Sequence, residues 1–130
     1  MHPFRRAAEA DDMSTIKAML AKSVHLHTPV VPRPYVGREI AAAILRHVPR
    51  TFKELRYVRE IVSADSRDLV LTFTTKVNGV QTHGVDLLHF NDEGLIDDFE
   101  IMVRPLAAAT ALASAMSEQF HQIEQAAELE

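Results

Sequence analysis

Hydrophobic residues recur along this chain first at helical spacing and then, from Phe52 onward, at every second position. Pro3 suits the first turn of a helix in which Phe4, Ala7 and Ala8 share one face, before Asp11 and Asp12 interrupt it. Those aspartates can cap a second short helix carrying Ile16, Met19 and Leu20. Val24 to Thr28 alternates as a strand, with Val24, Leu26 and Thr28 on one face and both His25 and His27 on the other. Pro29, Pro32 and Pro34 predict a stiff loop. Gly37 opens a third helix with the stripe Ile40, Ala41, Ile44, Leu45 and Val48, which Pro49 is expected to stop.

The second half reads as a meander of strands. Leu55, Tyr57, Arg59 and Ile61 form one face of the first, followed by a turn at Asp65-Ser66. Leu69, Leu71, Phe73 and Thr75 form one face of the next, and Asn78-Gly79 is a strong hairpin turn because both residues accept positive φ. The returning strand places Thr82, Gly84, Asp86, Leu88 and Phe90 on one side, and Asn91 to Gly94 forms a second hairpin loop. The last strand carries Leu95, Asp97, Phe99, Ile101 and Val103 against Ile96, Asp98, Glu100, Met102 and Arg104. Pro105 ends it, and Leu112, Met116, Phe120 and Ile123 give the stripe of a final helix over 106–130, with a frayed tail from Glu124. Helices gathered before long antiparallel strands predict a single α+β domain over 1–130. Its helices fill the concave face of a curved sheet.

The chemistry narrows this picture by exclusion. The chain has no cysteine, so disulfides, thiolate catalysis and zinc–thiolate sites are absent. A net charge of −4 without a Lys/Arg cluster gives no attraction to phosphate backbones, and nucleic acid is not an expected partner. No apolar run reaches membrane-spanning length and no secretory h-region follows the N-terminus, so no membrane association is expected and the expected location is cytoplasmic.

Two motifs carry a resemblance. Gly37-Arg38-Glu39 opens the third helix, and Gly84 to Ile96 follows the pattern aspartate, two apolar residues, any residue, Phe, polar turn, Gly, any residue, Ile. In this order they resemble the nuclear transport factor 2-like superfamily, in its SnoaL-like and ketosteroid-isomerase-like branch, over Pro3 to Pro105. The resemblance implies a cone-shaped half-barrel around an apolar cavity, often in a homodimer. It also implies that Asp86 sits where the isomerases hold a protonated aspartic acid that donates to a developing oxyanion. Where those enzymes place a general-base aspartate this chain has Thr28, and where they place a first-helix tyrosine it has Phe4. Threonine cannot abstract a carbon-bound proton at neutral pH, so steroid isomerisation itself is not expected.

Asp86 is the candidate catalytic residue, because its inward neighbours offer no charge partner and burial should raise its pKa. The bland alternative is a polar residue bonded to backbone or water. The expected pocket wall comprises Phe4, Thr28, Tyr35 and Ile44, with Leu69, Leu71, Phe73 and Thr75, and then Leu88, Phe99, Ile101 and Val103. Tyr35, Arg33 and Arg38 are read as a solvated loop or a lid, and Tyr57 as core or sheet surface rather than a catalytic acid. His25 and His27 share a face without a third ligand, so no metal or other cofactor is expected. His83 and His89 alternate away from Asp86, so the strand itself offers no Asp86–His dyad, and His47 at the end of the third helix is the minor alternative. Val70, Thr72, Thr74, Val85, Leu87 and Met102 make the outer sheet face moderately apolar, and a homodimer is the simplest cover. Two functions stand at this point. One is an isomerase, cyclase or hydrolase-type enzyme for a small hydrophobic molecule, and the other is a non-catalytic homodimeric binding or accessory module.

Overall fold

A computed structural model describes the backbone of residues 1–129 and the side chains of residues 1–119. Helices α1 (Pro3–Glu9) and α2 (Met13–Met19) lead into strand β1 (Leu20–His27). A short strand β2 (Tyr35–Val36) precedes α3 (Arg38–Leu45) and the single turn α4 (Val48–Thr51). Strands β3 (Lys53–Val62), β4 (Asp68–Val77), β5 (Val80–Phe90) and β6 (Ile96–Arg104) follow, and α5 (Leu106–Leu129) ends the chain.

The strands form one curved sheet in the order β2-β1-β6-β5-β4-β3. All neighbours are antiparallel except β1 and β6, which run parallel because the long meander lies between them in sequence. The α+β architecture, with helices on one face of a cone-shaped sheet, is as the residue pattern predicts. Phe4, Ile16, Ala43 and Leu45 of the helices meet Leu69, Leu71, Leu88 and Phe99 of the strands in one core. Asp12 caps α2, accepting from the Thr15 N–H at 3.2 Å. Asn78 and Gly79 both adopt positive φ, 48° and 80°, and turn β4 tightly into β5.

Several boundaries differ from the sequence reading. Leu20 begins β1 rather than ending α2, and Tyr35–Val36 pairs with β1 where only a loop was expected. Pro49 does not stop a helix: α3 ends at Leu45, and Pro49 lies in the first turn of α4, where its missing N–H is harmless. Backbone helix α5 continues to Leu129, beyond the expected fraying point at Glu124. Ala108, Leu112 and Ala115 bury its inner face, with Met116 packed against the core. The side chains of Phe120 and Ile123 and all of Glu130 lie outside the described residues.

Two bulges correct the alternation. In β6, Phe99 pairs with Leu88, Asp98 with His89 and Ile96 with Phe90, so Asp97 is an extra residue. Ile96, read as outward, is consequently fully buried. In β3 the step from Tyr57↔Phe73 to Arg59↔Thr72 inserts Val58, which turns Ile61 outward to 48% exposure. Among the described residues no helix is long and apolar enough to cross a membrane.

Candidate functional site

Asp86 sits near the middle of β5, opposite Leu71 on β4 and Ile101 on β6. Its residue is 7% exposed, and among the described residues its carboxyl group makes no hydrogen bond or ion pair to protein. With no opposite charge to hold the carboxylate, burial alone pushes the group up to about 7. Of the bland reading, a carboxyl bonded to backbone or to water, the backbone half is not met among the described residues.

The carboxyl group faces a narrow cavity between sheet and helices. Phe4 and Ala8 of α1, Met13 and Ile16 of α2 and Val48 of α4 form its helical side. Phe52, Leu55 and Tyr57 close one flank; Phe73, Phe99 and Ile101 continue the wall beside Asp86. Of six Phe and two Tyr in the chain, four Phe and one Tyr line this space, so the wall is more aromatic than the composition alone implies. The rings brace one another: Phe4 meets Phe99 edge-on at 5.5 Å, Phe52 stacks on Phe73 at 5.7 Å, and Tyr57 meets Phe73 edge-on at 6.2 Å.

Phe73 owes its position to Gly84, its partner across the sheet. A Cβ on residue 84 would stand 2.1 Å from Phe73 Cζ, so only glycine lets the ring lie flat over β5 beside Asp86. Tyr57 is the second polar group of the wall. Burial, and then the nearby Asp86 charge, raise its phenol above the ordinary range, so it remains a hydrogen-bond donor. Asp11, in the positive-φ turn between α1 and α2, is an exposed carboxylate at the rim.

The sequence-predicted wall is divided by this geometry. Asp86, Phe4, Phe73, Phe99 and Ile101 line the cavity together. Thr28 and Ile44 line a neighbouring cavity instead. Leu69, Leu71 and Leu88 are solid core, and Thr75 is buried with its hydroxyl donating to the Lys53 carbonyl at 2.7 Å. Val103 and Tyr35 are half-buried and border neither cavity, and Tyr35 pairs with Leu26 at the sheet edge. Arg38 Nε donates to the Leu20 carbonyl at 3.1 Å. Alternation identifies the inward face, but not where along a strand the space above that face is empty.

The predicted wall omitted the polar Tyr57 and Asp11, the rings and chains of Phe52 and Leu55, and the helical residues Ala8, Met13, Ile16, Leu45 and Val48. The alternation of Leu55 and Tyr57 with Arg56 and Val58 was the available signal for Tyr57. The histidines stay apart from Asp86: His89 Nδ1 meets Asp97 at 2.7 Å, His27 Nε2 meets Asp98 at 3.0 Å, and His25 and His83 are exposed. His47 lines the neighbouring cavity and makes no dyad with Asp86. Among the described residues no cluster of His, Asp or Glu is arranged to hold a metal ion.

A curled sheet closed by helices over an apolar cavity is the nuclear transport factor 2-like architecture. Residues 2–99 match the family described as SnoaL-like domain, and the chain belongs to that family. A solved protein from Silicibacter pomeroyi DSS-3, described as conserved in bacteria with a cystatin-like fold, is 34% identical with a TM-score of 0.82. That match covers 97% of this chain and 95% of the other. A steroid delta-isomerase from Pseudomonas aeruginosa is 29% identical with a TM-score of 0.81, covering 97% of this chain and 98% of that one. A Mycobacterium tuberculosis protein solved in complex with estradiol-17beta-hemisuccinate is 18% identical at a TM-score of 0.61, covering 81% and 90% of the two chains, which shows a shared fold. No curated protein matches the sequence significantly.

Proposed function

We propose that this protein binds a small hydrophobic molecule bearing a carbonyl or enol oxygen and moves a proton on it, as an isomerase-type enzyme. The observation that carries this reading is the Asp86 carboxyl group, which has no hydrogen-bond partner among the described residues and shares an aromatic cavity with the Tyr57 phenol. A carboxyl group titrating at about 7 is populated in both forms at neutral pH, which suits a group that takes a proton from carbon and returns it. The Tyr57 hydroxyl, still protonated, donates to the oxygen on which negative charge develops. A single shuttling carboxyl thus replaces the separate base that Thr28 does not supply. The 29% identity to a steroid delta-isomerase supports the reaction class.

The second reading, a non-catalytic binding module, is favoured by Thr28 standing where the isomerases have their base. In both readings the chain works as a homodimer, its outer sheet face covered by a second copy; Val58, Leu87 and Met102, 59%, 37% and 43% exposed, motivate this. One experiment separates the readings: β-tetralone in heavy water, with loss of its α-proton signals followed by proton NMR. Accelerated exchange by wild type, lost in Asp86→Asn and reduced about tenfold or more in Tyr57→Phe, is the expected result. Binding without exchange identifies the binding module. Neither binding nor exchange, with β-naphthol also unbound, refutes both.

A further inference from the structure

The narrow Asp86 cavity opens outward. Ala8, Asp11, Val48, Phe52, Leu55 and Tyr57 line both it and a wider, more polar groove at the surface, so these residues form the neck between the two. The groove adds Glu9, Pro49, Lys53 and Glu54.

The charges around this opening are not equally committed. Glu9 accepts from Arg5 Nε at 2.7 Å, and Arg5 also lies 3.6 Å from Glu60. Glu54 pairs with Lys76 at 3.4 Å, and the Lys53 ammonium donates to the Pro49 carbonyl at 3.5 Å. Asp11 differs: its carboxylate makes no hydrogen bond and no ion pair among the described residues, although it is exposed and lines the neck. At the inner end of the same passage stands the Asp86 carboxyl group, more than nine-tenths buried and also without a partner among the described residues. That second group marks the passage as a ligand path rather than an ordinary acidic surface.

The site thus gathers negative charge around the place where more would develop. Burial, the Asp86 charge, and then those of Glu9 and Asp11 hold the proton on the Tyr57 phenol, with Arg5 opposing them. A ligand oxygen gaining negative charge beside Tyr57 meets the same carboxylates. Arg5 is shared between two glutamates, and Lys53 lines the groove but not the neck, so the protein supplies little positive charge there. A cation arriving with the ligand would supply it. The neck suits such a cation. The Phe52 and Tyr57 rings can attract it through their faces, and Asp11 offers a counter-charge that remains open to water, so an ammonium keeps part of its hydration.

We infer that the substrate carries its own positive charge: a small apolar ketone or enol with an ammonium arm, its oxygen at Asp86 and Tyr57 and its ammonium at the neck beside Asp11. This rests on the Asp86 cavity being a ligand site. It adds the charge of the ligand and the residue that selects it.

The test compares phenols that differ in the charge of one short arm, with affinities measured by calorimetry. The probes are para-hydroxybenzylamine and para-hydroxyphenethylamine, neutral para-ethylphenol, and para-hydroxyphenylacetate. At low salt, wild type should bind the better ammonium probe about fivefold more tightly than para-ethylphenol, and the carboxylate probe about fivefold more weakly. Added salt should narrow both differences, because Asp11 is exposed. Asp11→Asn keeps the size of the side chain and accepts the positive φ of 52° at this turn. It should bring the ammonium, neutral and carboxylate probes within about twofold of one another, as should Asp11→Gly, which accepts the same backbone. A charge preference that survives both variants would assign it to the net charge of the whole chain and overturn the role of Asp11. Equal wild-type affinities, with Asp86→Asn weakening every probe, would overturn the cationic substrate and leave the Asp86 site standing. Failure of every probe to bind would overturn both.

Discussion

Replacing Asp86 by asparagine removes an ionisable group from a dry site while keeping its size and shape. The carboxyl group moves from 3.8, its ordinary value, to about 7 in the fold, with burial as the cause. Below about pH 4 it is protonated in both the folded and the unfolded chain, and it adds no pH dependence. Between about pH 4 and about pH 7 the unfolded chain releases the proton first, so the unfolded state is favoured and stability falls as pH rises. Above about pH 7 both states are ionised and the loss is complete. At about 1.4 kcal/mol for each tenfold change in proton affinity, the loss amounts to about 4 kcal/mol. Asp86 is almost fully buried, so solvent screening removes little of it. Urea unfolding of wild type and Asp86→Asn at half-unit pH intervals isolates the effect, because every other titrating group is shared. The stability of Asp86→Asn relative to wild type should climb by about 4 kcal/mol across that window. Parallel curves from about pH 4 to about pH 8 would show that Asp86 is well solvated or charge-paired, and the argument for a shuttling carboxyl would go with them.

Gly84→Ala should destabilise the fold by about 1–3 kcal/mol, since the new methyl group stands where the Phe73 ring lies. Thermal melts check it, and partial recovery in the Gly84→Ala/Phe73→Leu double variant would assign the loss to that ring. Leu69→Ala should lose about 2–5 kcal/mol in urea unfolding, because Leu69 is fully buried core. Its phenol affinity, measured well below the unfolding midpoint, should stay within about twofold of wild type; a large drop would place Leu69 in the pocket wall.

The fold was legible because two signals agreed: helical spacing through Val48, then alternation with hairpin turns at Asn78-Gly79 and Asn91 to Gly94. The inward face of β4 and β5 was legible for the same reason, since those strands pair without interruption from Asp68↔His89 to Val77↔Val80. Alternation failed where a residue is inserted, at Val58 in β3 and Asp97 in β6, because a bulge reverses inward and outward without marking the sequence. The pocket was only half legible. Asp86 was found from the family resemblance together with its lack of charged neighbours, but Tyr57 reaches the same cavity from β3 through strand pairing that a linear pattern does not reveal. The division of the interior at Phe52 depends on α4 folding as one turn after α3 has ended, and Pro49 read along the chain pointed to a stop instead.

The bulge at Asp97 has a consequence for how this gene can vary. Substitution there exchanges a half-exposed side chain, but deletion would shift the reading of every residue on one side of it. Ile96, now fully buried, would be carried toward solvent, or the strand beyond it would slide out of register with β5. Asp97 and its neighbour Asp98 also stitch three strands together, Asp97 to His89 on β5 and Asp98 to His27 on β1. Losing one residue here therefore counts as a topological error rather than a point change. Length at this position should be held more strictly than identity.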